Sequence, residues 1–351
     1  MRRAIGLVTV LTILACTPGG PTSPERAGPG AAPAAGAAPG PSRPALDRIR
    51  LAYATPTPAF AAPWVAKELG LFQKYGLDVD LTYTSNGLSL LAALLSGEVA
   101  FGEVAAPAPM SAYLEGGEVV YVASAVNRLG LILVTPPSIT RLEDLRGRVL
   151  GVTRIGSITH TFMRYVVRSA GLDPEQDVTM VQIGGQPETV AALESGRISA
   201  GLLGTPAYRV ALESGMHVAY NLAERGVAWP QGGSVTTRSN ISTNPERIRS
   251  YVKAYTEALQ VLRTDRDASV NAIARYADLA SREMAEQSWE DYRPYYAMPP
   301  YPDRAALEMV IAEELVPANP RASEVPPEAY YDDRFVRELD ESGFIRDLTG
   351  R

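Results

Sequence analysis

The sequence predicts an α/β fold of two lobes joined by two crossing strands, and three observations predict it. From residue 49 to the middle of the chain, short apolar strands alternate with loops and helices, the pattern of layered and mainly parallel sheets. A 31-residue stretch, Asp78–Ala108, returns without a gap 99 residues later as Asp177–Ala207. Two extended segments, Leu131–Thr135 and Gly233–Arg238, bracket a compact middle block of roughly 100 residues, as expected where a chain passes from one sheet to another and back.

In chain order, the N-terminus comes first. Met1-Arg2-Arg3 is followed by an uncharged run from Ala4 to Ala15 and then by Cys16, the single cysteine among 351 residues. A short positive region, an apolar stretch and a small residue before the cut describe a secretion signal over 1–15. The stretch is too short to span a bilayer as a helix. Ile13-Leu14-Ala15-Cys16 resembles the bacterial lipobox, which usually begins with Leu. That resemblance implies lipidation of Cys16; the alternative is an ordinary signal with an incidental cysteine. Residues 16–46 are almost all Pro, Gly, Ala, Ser and Thr, a composition that cannot offset its chain entropy by burial. They are expected to be a disordered tether. The formal net charge of −6 falls to near −8 once the signal and its two arginines are removed.

Folded structure is expected from about residue 47. Ile49–Tyr53 alternates as a strand and runs into Thr55-Pro56-Thr57-Pro58, where proline cannot join a ladder. A helix from about Phe60 closes at Gly70; Asp78–Tyr83 is a strand, and Ser85-Asn86-Gly87 opens the helix Leu88–Leu95. The repeat carries ten identities, among them Ser96/Ser195, Gly97/Gly196, Gly102/Gly201 and Pro107/Pro206. Convergence on a common helix-to-strand turn is the bland explanation, but an ungapped register favours two lobes on one plan. The middle block has strands at Val149–Thr153, Val178–Ile183 and Ile198–Leu203. Beyond it Asn244 is placed as an N-cap before Pro245, and Ile248, Tyr251, Val252, Tyr255, Leu259 and Leu262 share one helical face. These late helices should pack back on the first lobe. Lobe one is therefore expected at 47–134 plus 238–351, and lobe two at 135–237.

Composition narrows the chemistry. There is no basic surplus to call for nucleic acid, two histidines cannot make a multi-histidine metal site, and one cysteine excludes an intrachain disulfide. No Ser-His-Asp spacing or paired-carboxylate site stands out. No cofactor and no metal is called for, and a monomer is expected.

Val65-Ala66-Lys67-Glu68-Leu69-Gly70-Leu71-Phe72-Gln73-Lys74-Tyr75-Gly76-Leu77-Asp78-Val79 resembles the "A-K-E-x-G-L-F-x-K-x-G-L-D-V" signature of nitrate/sulfonate/taurine-type ABC substrate-binding proteins. Leu95–Gly102, Leu142–Arg148, Gly171–Pro174 and Leu339–Ile345 agree in order, so the resemblance spans roughly 47 to 350. Ala100 departs from it, standing where the family usually carries Asp. The resemblance implies a type 2 periplasmic-binding-protein fold, a small-molecule ligand in the cleft, no catalysis, and a permease and its ATPase as partners. A thiamine-pyrimidine-synthase-like enzyme of the same fold is the alternative, as is a ligand-binding partner of a membrane sensor. The enzyme branch uses a cysteine-rich motif that is absent here.

In open parallel sheets ligands bind beyond the carboxyl ends of the strands. That rule selects Thr55, Thr57 and Pro58, then Ser85 and Asn86, then Glu103 and Ala105, then Ser124 and Asn127 in lobe one. In lobe two it selects Arg154, Ser157, Thr159 and His160, then Gly185 and Gln186, then Thr205 and Tyr208. The Gly-Ser loop at 154–160 precedes a helix and suits an anion, with Arg154 adding charge; otherwise Ser157 only caps and Arg154 faces solvent. His160 is either a donor to the ligand or a capping residue. Glu103, if it faces the cleft, favours an amine or ring N–H; otherwise it pairs with Arg128 or faces water. The run Tyr292, Tyr295, Tyr296 and Tyr301 either overhangs the cleft or anchors an irregular connection to lobe one. The ligand stays open among sulfonates, carboxylates and amino-heterocycles.

Overall fold

The computed structural model describes residues 45–84 and 86–350. Cys16, the tether as far as residue 44 and Ser85 lie outside the described residues. The described residues form ten strands: β1 (Asp47–Tyr53), β2 (Leu77–Tyr83), β3 (Phe101–Glu103), β4 (Val119–Arg128), β5 (Ile132–Thr135), β6 (Val149–Val152), β7 (Thr179–Gln182), β8 (Ala200–Leu203), β9 (His217–Asn221) and β10 (Ala228–Thr237). They make two five-stranded sheets, ordered β2-β1-β3-β10-β4 and β7-β6-β8-β5-β9. In each sheet the first three strands are parallel and the last two antiparallel to their neighbours. The fourth strand of each sheet is the one that arrives from the other.

The 99-residue repeat is a repeat of structure. Leu51 pairs with Phe101 in the first sheet and Leu150 with Ala200 in the second, the same offset on corresponding strands. Helix α3 (Gly87–Leu95) maps residue for residue onto α6 (Gln186–Glu194), and α4 (Ala108–Leu114) onto α7 (Ala207–Glu213); α5 (Ile158–Ser169) lies between the pairs in the chain. The shared glycines have a steric cause. A Cβ on Gly102 would stand 2.4 Å from a methyl of Leu90 on α3, and one on Gly201 2.6 Å from a methyl of Thr189 on α6. Each helix lies against its strand so closely that only hydrogen fits there. Gly97 and Gly196 end those helices in the left-handed region, at φ of 77° and 69°, where glycine costs least.

The chain changes sheets between Arg128 and Ile132 and again between Asn221 and Ala228. Residues 132–135 thus pair wholly within the second sheet and 228–237 wholly within the first. Boundaries at 134/135 and 237/238 fall one strand too late. An extended apolar segment shows in sequence that it is a strand, but its ladder partner decides which sheet owns it.

The first sheet is covered by α1 (Ala61–Glu68), α2 (Leu71–Lys74) and the late helices α9 (Pro245–Thr264), α10 (Arg266–Tyr276) and α11 (Arg282–Tyr292), after a short α8 (Arg238–Thr243). Ile248, Tyr251, Val252, Tyr255, Leu259 and Leu262 are all fully buried, as the period of α9 requires. At about 1.5–3 kcal/mol per buried large apolar side chain, this face is what attaches α9. Asn244 occupies the N-cap position, but its amide donates to Asn240 Oδ1 (3.1 Å) instead of capping. No helix among the described residues is long and apolar enough to cross a membrane.

Candidate functional site

A cavity of about 200 Å³ opens where the chain crosses between the sheets. Ile132, Thr205, Tyr208 and Asn221 line it from the second sheet and its loops. Val126, Arg128 and Gln231 line it from β4 and β10, and Asp291, Tyr292 and Tyr295 from the end of α11 and the residues after it. Gln231 is fixed at both ends: its Oε1 accepts from the Gly130 amide, and its Nε2 donates to Tyr292 Oη at 2.9 Å. Tyr292 is also hydrogen-bonded to Thr57, and burial holds its phenol above the ordinary range. One crossing strand, one late helix and the loop after β1 are thereby locked together.

Asp291 ties this wall to the second lobe. Its carboxylate accepts from Thr205 Oγ1 (2.7 Å), Tyr208 Oη (2.6 Å), Arg209 Nε (3.1 Å) and Arg209 Nη2. Four donors on two oxygens, with 15% of the side chain exposed, leave the carboxylate saturated. Burial and the bond to Asp291 push the Tyr208 phenol well up, and Arg209's own hydrogen bonds to Asp291 raise its guanidinium. All four donors follow β8, so Asp291 is a clasp from α11 onto the loop that ends the central strand of the other sheet.

Of the residues selected from sequence, Thr205 and Tyr208 line the cavity, and Thr57 stands directly behind Tyr292. Gln186 is one bond away, its Oε1 accepting from the Gly204 amide at 3.1 Å. Pro58 is buried and its carbonyl accepts from Tyr296 Oη (2.9 Å), while Thr55 and Gly185 are exposed and Ala105 is half-buried. Asn86 caps α3, accepting from the Ser89 amide (2.9 Å). Ser124 is buried and donates to Asn127 Oδ1 (2.6 Å) and to the Gly232 carbonyl; Asn127 donates to the Tyr301 carbonyl (3.0 Å). These two tie β4 to β10 and to the C-terminal segment.

Glu103 is a correction. It neither faces the cleft nor pairs with Arg128, which instead meets Asp303 at 3.3 Å. Glu103 is fully buried on the opposite face of the first sheet, accepting from Tyr251 Oη (3.1 Å) and Tyr255 Oη (3.3 Å) of α9. Desolvation raises its pKa to about 8, against the lowering pull of hydrogen bonds from Ser234, Tyr251 and Tyr255. Period 2 explains the miss: Gly102 faces α3, so Glu103 must face α9.

The loop at 154–160 is folded on itself. Ser157 Oγ donates back to the Arg154 carbonyl (2.6 Å) and clusters with the hydroxyls of Thr153 and Thr159; it does not cap α5. Thr159 is buried and accepts from the Thr153 amide (2.9 Å). His160 Nδ1 accepts from the Gly156 amide (3.3 Å), and burial with Arg164 nearby lowers its pKa. Arg154 is exposed. The tyrosine run divides: Tyr296 is fully buried and anchors on Pro58, whereas Tyr292 and Tyr295 reach the cavity.

Gln231 and Asp291 escaped the sequence reading. Trp229-Pro230-Gln231-Gly232 reads as a turn, yet it is the first part of β10, which tolerates Pro230 across a ladder with register shifts. Asp291 sits on a helix remote in sequence from every strand end, and only the packing of α11 brings it to Tyr208.

A family profile described as "NMT1/THI5 like" matches residues 57–269. A riboflavin-binding protein, RibY, of Chloroflexus aurantiacus is 26% identical over 262 residues, covering 71% of this chain and 70% of the relative. Among solved structures, the periplasmic aliphatic sulphonate binding protein SsuA of Escherichia coli superposes with a TM-score of 0.66 at 20% identity, over 79% of this chain and 94% of that one. A ligand-binding component of an ABC-type import system from Staphylococcus aureus gives 0.63 at 15% identity, over 84% and 99%. These likenesses establish the two-sheet, twice-crossed architecture as the periplasmic-binding-protein fold.

Proposed function

The chain belongs to the NMT1/THI5-like family, and from that premise we propose that it is an extracytoplasmic solute-binding protein of an ABC-type importer. One observation carries the reading: the cavity is lined from both sheets at the point where two adjacent segments cross between them. Such an arrangement lets the lobes hinge on the crossings, and a ligand touching both lobes favours the closed form by its differential affinity for it. The ligand is a small polar organic molecule, and the closed form is what a permease and its ATPase recognise. The fixed hydroxyls and amides around the cavity position a ligand. The test is mass spectrometry of the solute that co-purifies with the native protein, then small-angle scattering with and without it. Compaction at saturation is expected; an unchanged radius of gyration overturns the reading.

Attachment to the membrane through a lipid on Cys16 belongs to the same proposal, supported by the order of charged, apolar and Cys residues at 1–16. Cys16→Ser should move the protein from the membrane fraction to the soluble one. Retention of that variant on the membrane would refute the anchor.

A further inference from the structure

We propose that residues 301–330 form a strap that lobe one lays across helix α5 of lobe two, and that the lobes part only as this strap slides off its seat. The proposal goes beyond solute binding, since it concerns how far the empty protein opens. The path of the chain leads to it. Before the strap, Tyr296 bridges to Val126 on β4, the Ala297 amide donates to the Ala125 carbonyl (2.7 Å), and the Pro300 carbonyl accepts from the Ser124 amide (2.9 Å). After it, Tyr331 bridges to Tyr121 on the same strand, and the Asp332 amide donates to the Tyr121 carbonyl (2.8 Å). Both ends are therefore fixed to the edge strand of the first sheet. Between them lie α12 (Arg304–Val310), which packs on β10, a π-helical turn at Ile311–Leu315 and the short α13 (Val316–Ala318).

The middle of this excursion reaches the other lobe. Glu313 accepts from Arg168 Nη2 of α5 at 2.8 Å, and Thr161, about two turns earlier on α5, hydrogen-bonds to the Glu314 carboxylate. Leu307, Val310 and Leu315 of the strap are buried in one cluster with Phe162, Met163, Val166 and Val167 of α5. Phe162 in turn meets Trp229 of β10 edge to face, with ring centroids 4.9 Å apart. Helix α5 is thus held between a crossing strand and the strap. Two crossings alone leave a hinge free to turn; a third attachment away from them limits the turn. The seat is built to yield. In its ion pair 44% of the Arg168 side chain and 26% of the Glu313 side chain are exposed, and such pairs hold weakly. Glu314 Oε1 is buried with no donor, while both arginines of α5 are engaged elsewhere, Arg168 with Glu313 and Arg164 with Glu175. A carboxylate charge there is poorly compensated. The π-helical turn, a rare form in helices, falls on the same two glutamates.

The test joins the strap to α5. Arg168→Cys with Glu313→Cys, in a chain whose single native cysteine carries Cys16→Ser, leaves two thiols. They are either bridged by a short bifunctional maleimide or capped singly with N-ethylmaleimide, and co-purified solute is removed by dialysis. Hydrogen exchange is then read at residues 204–213, the loop after β8 and α7, which part from α11 when the lobes open. The bridged protein should exchange about ten-fold more slowly there than the capped one, with β2 at the far edge of the first sheet alike in both. Glu313→Gln alone should speed exchange at 204–213 about two- to five-fold. Glu314→Gln removes the uncompensated charge, keeps a partner for Thr161, and should slow it. Equal exchange in the bridged and capped proteins overturns the strap. So does a Glu313→Gln or Glu314→Gln protein that exchanges as the wild type does or moves in the opposite sense. If scattering still shows compaction with the co-purified solute, only the strap falls and solute binding stands.

Discussion

Glu103→Gln isolates what one buried carboxyl does to stability. Folded, Glu103 titrates near 8 because it has lost its water; in the unfolded chain it returns to about 4.5. Between those values the folded state holds a proton that the unfolded state has released. Stability therefore falls as pH rises through that window, because the unfolded state binds fewer protons. At up to about 1.4 kcal/mol for each pH unit, with the slope halved at either end of the window, the fall is roughly 4 kcal/mol from pH 4.5 to 8 and about 3 kcal/mol from pH 5.5 to 8. Above about pH 9 both states are ionised and this contribution is flat. Glutamine keeps the shape and cannot ionise, so the variant should lack that slope. The assay is urea unfolding of both proteins at half-unit steps from pH 5.5 to 9, with the difference in unfolding free energy plotted against pH. The variant should gain on the wild type throughout the rise to pH 8 and level off toward pH 9. A difference that does not change with pH would refute a desolvated Glu103, and one that changes in the opposite sense would mean a charged, well-paired carboxylate.

Two further outcomes follow from the geometry. Asp291→Asn removes the charge that four donors share and should weaken the hold between α11 and the loop after β8 by about 1–3 kcal/mol. Scattering should then report a more open ligand-free protein; an unchanged profile, with folding intact by circular dichroism, would show that Asp291 does not set lobe separation. Gly232→Ala places a Cβ 2.2 Å from the Ala59 carbonyl oxygen, a backbone atom that cannot swing aside. A loss of about 1–3 kcal/mol in thermal or urea unfolding is expected, and a neutral result would mean that β10 and the segment at Ala59 separate freely.

The sequence by itself determined the architecture and the class of the protein. Its repeat at 99 residues fixed the two-lobed plan because the same glycines are needed wherever a helix lies directly on a strand, at Gly102 and Gly201, or ends at a left-handed residue, at Gly97 and Gly196. The face of α9 was legible for a similar reason: helical period and burial are properties of neighbouring residues in one segment. That Thr205 and Tyr208 line the cavity was legible because the loops after parallel strands gather at one edge of a sheet by rule. Tertiary structure alone decided the rest. Which sheet owned residues 132–135 and 228–237 depended on ladder partners far along the chain. Glu103 turned inward because its neighbour Gly102 had already taken the α3 side of the strand. Asp291 and Gln231 became part of the cavity only when α11 and the second crossing came together, a contact between segments 60 residues apart that no local pattern encodes.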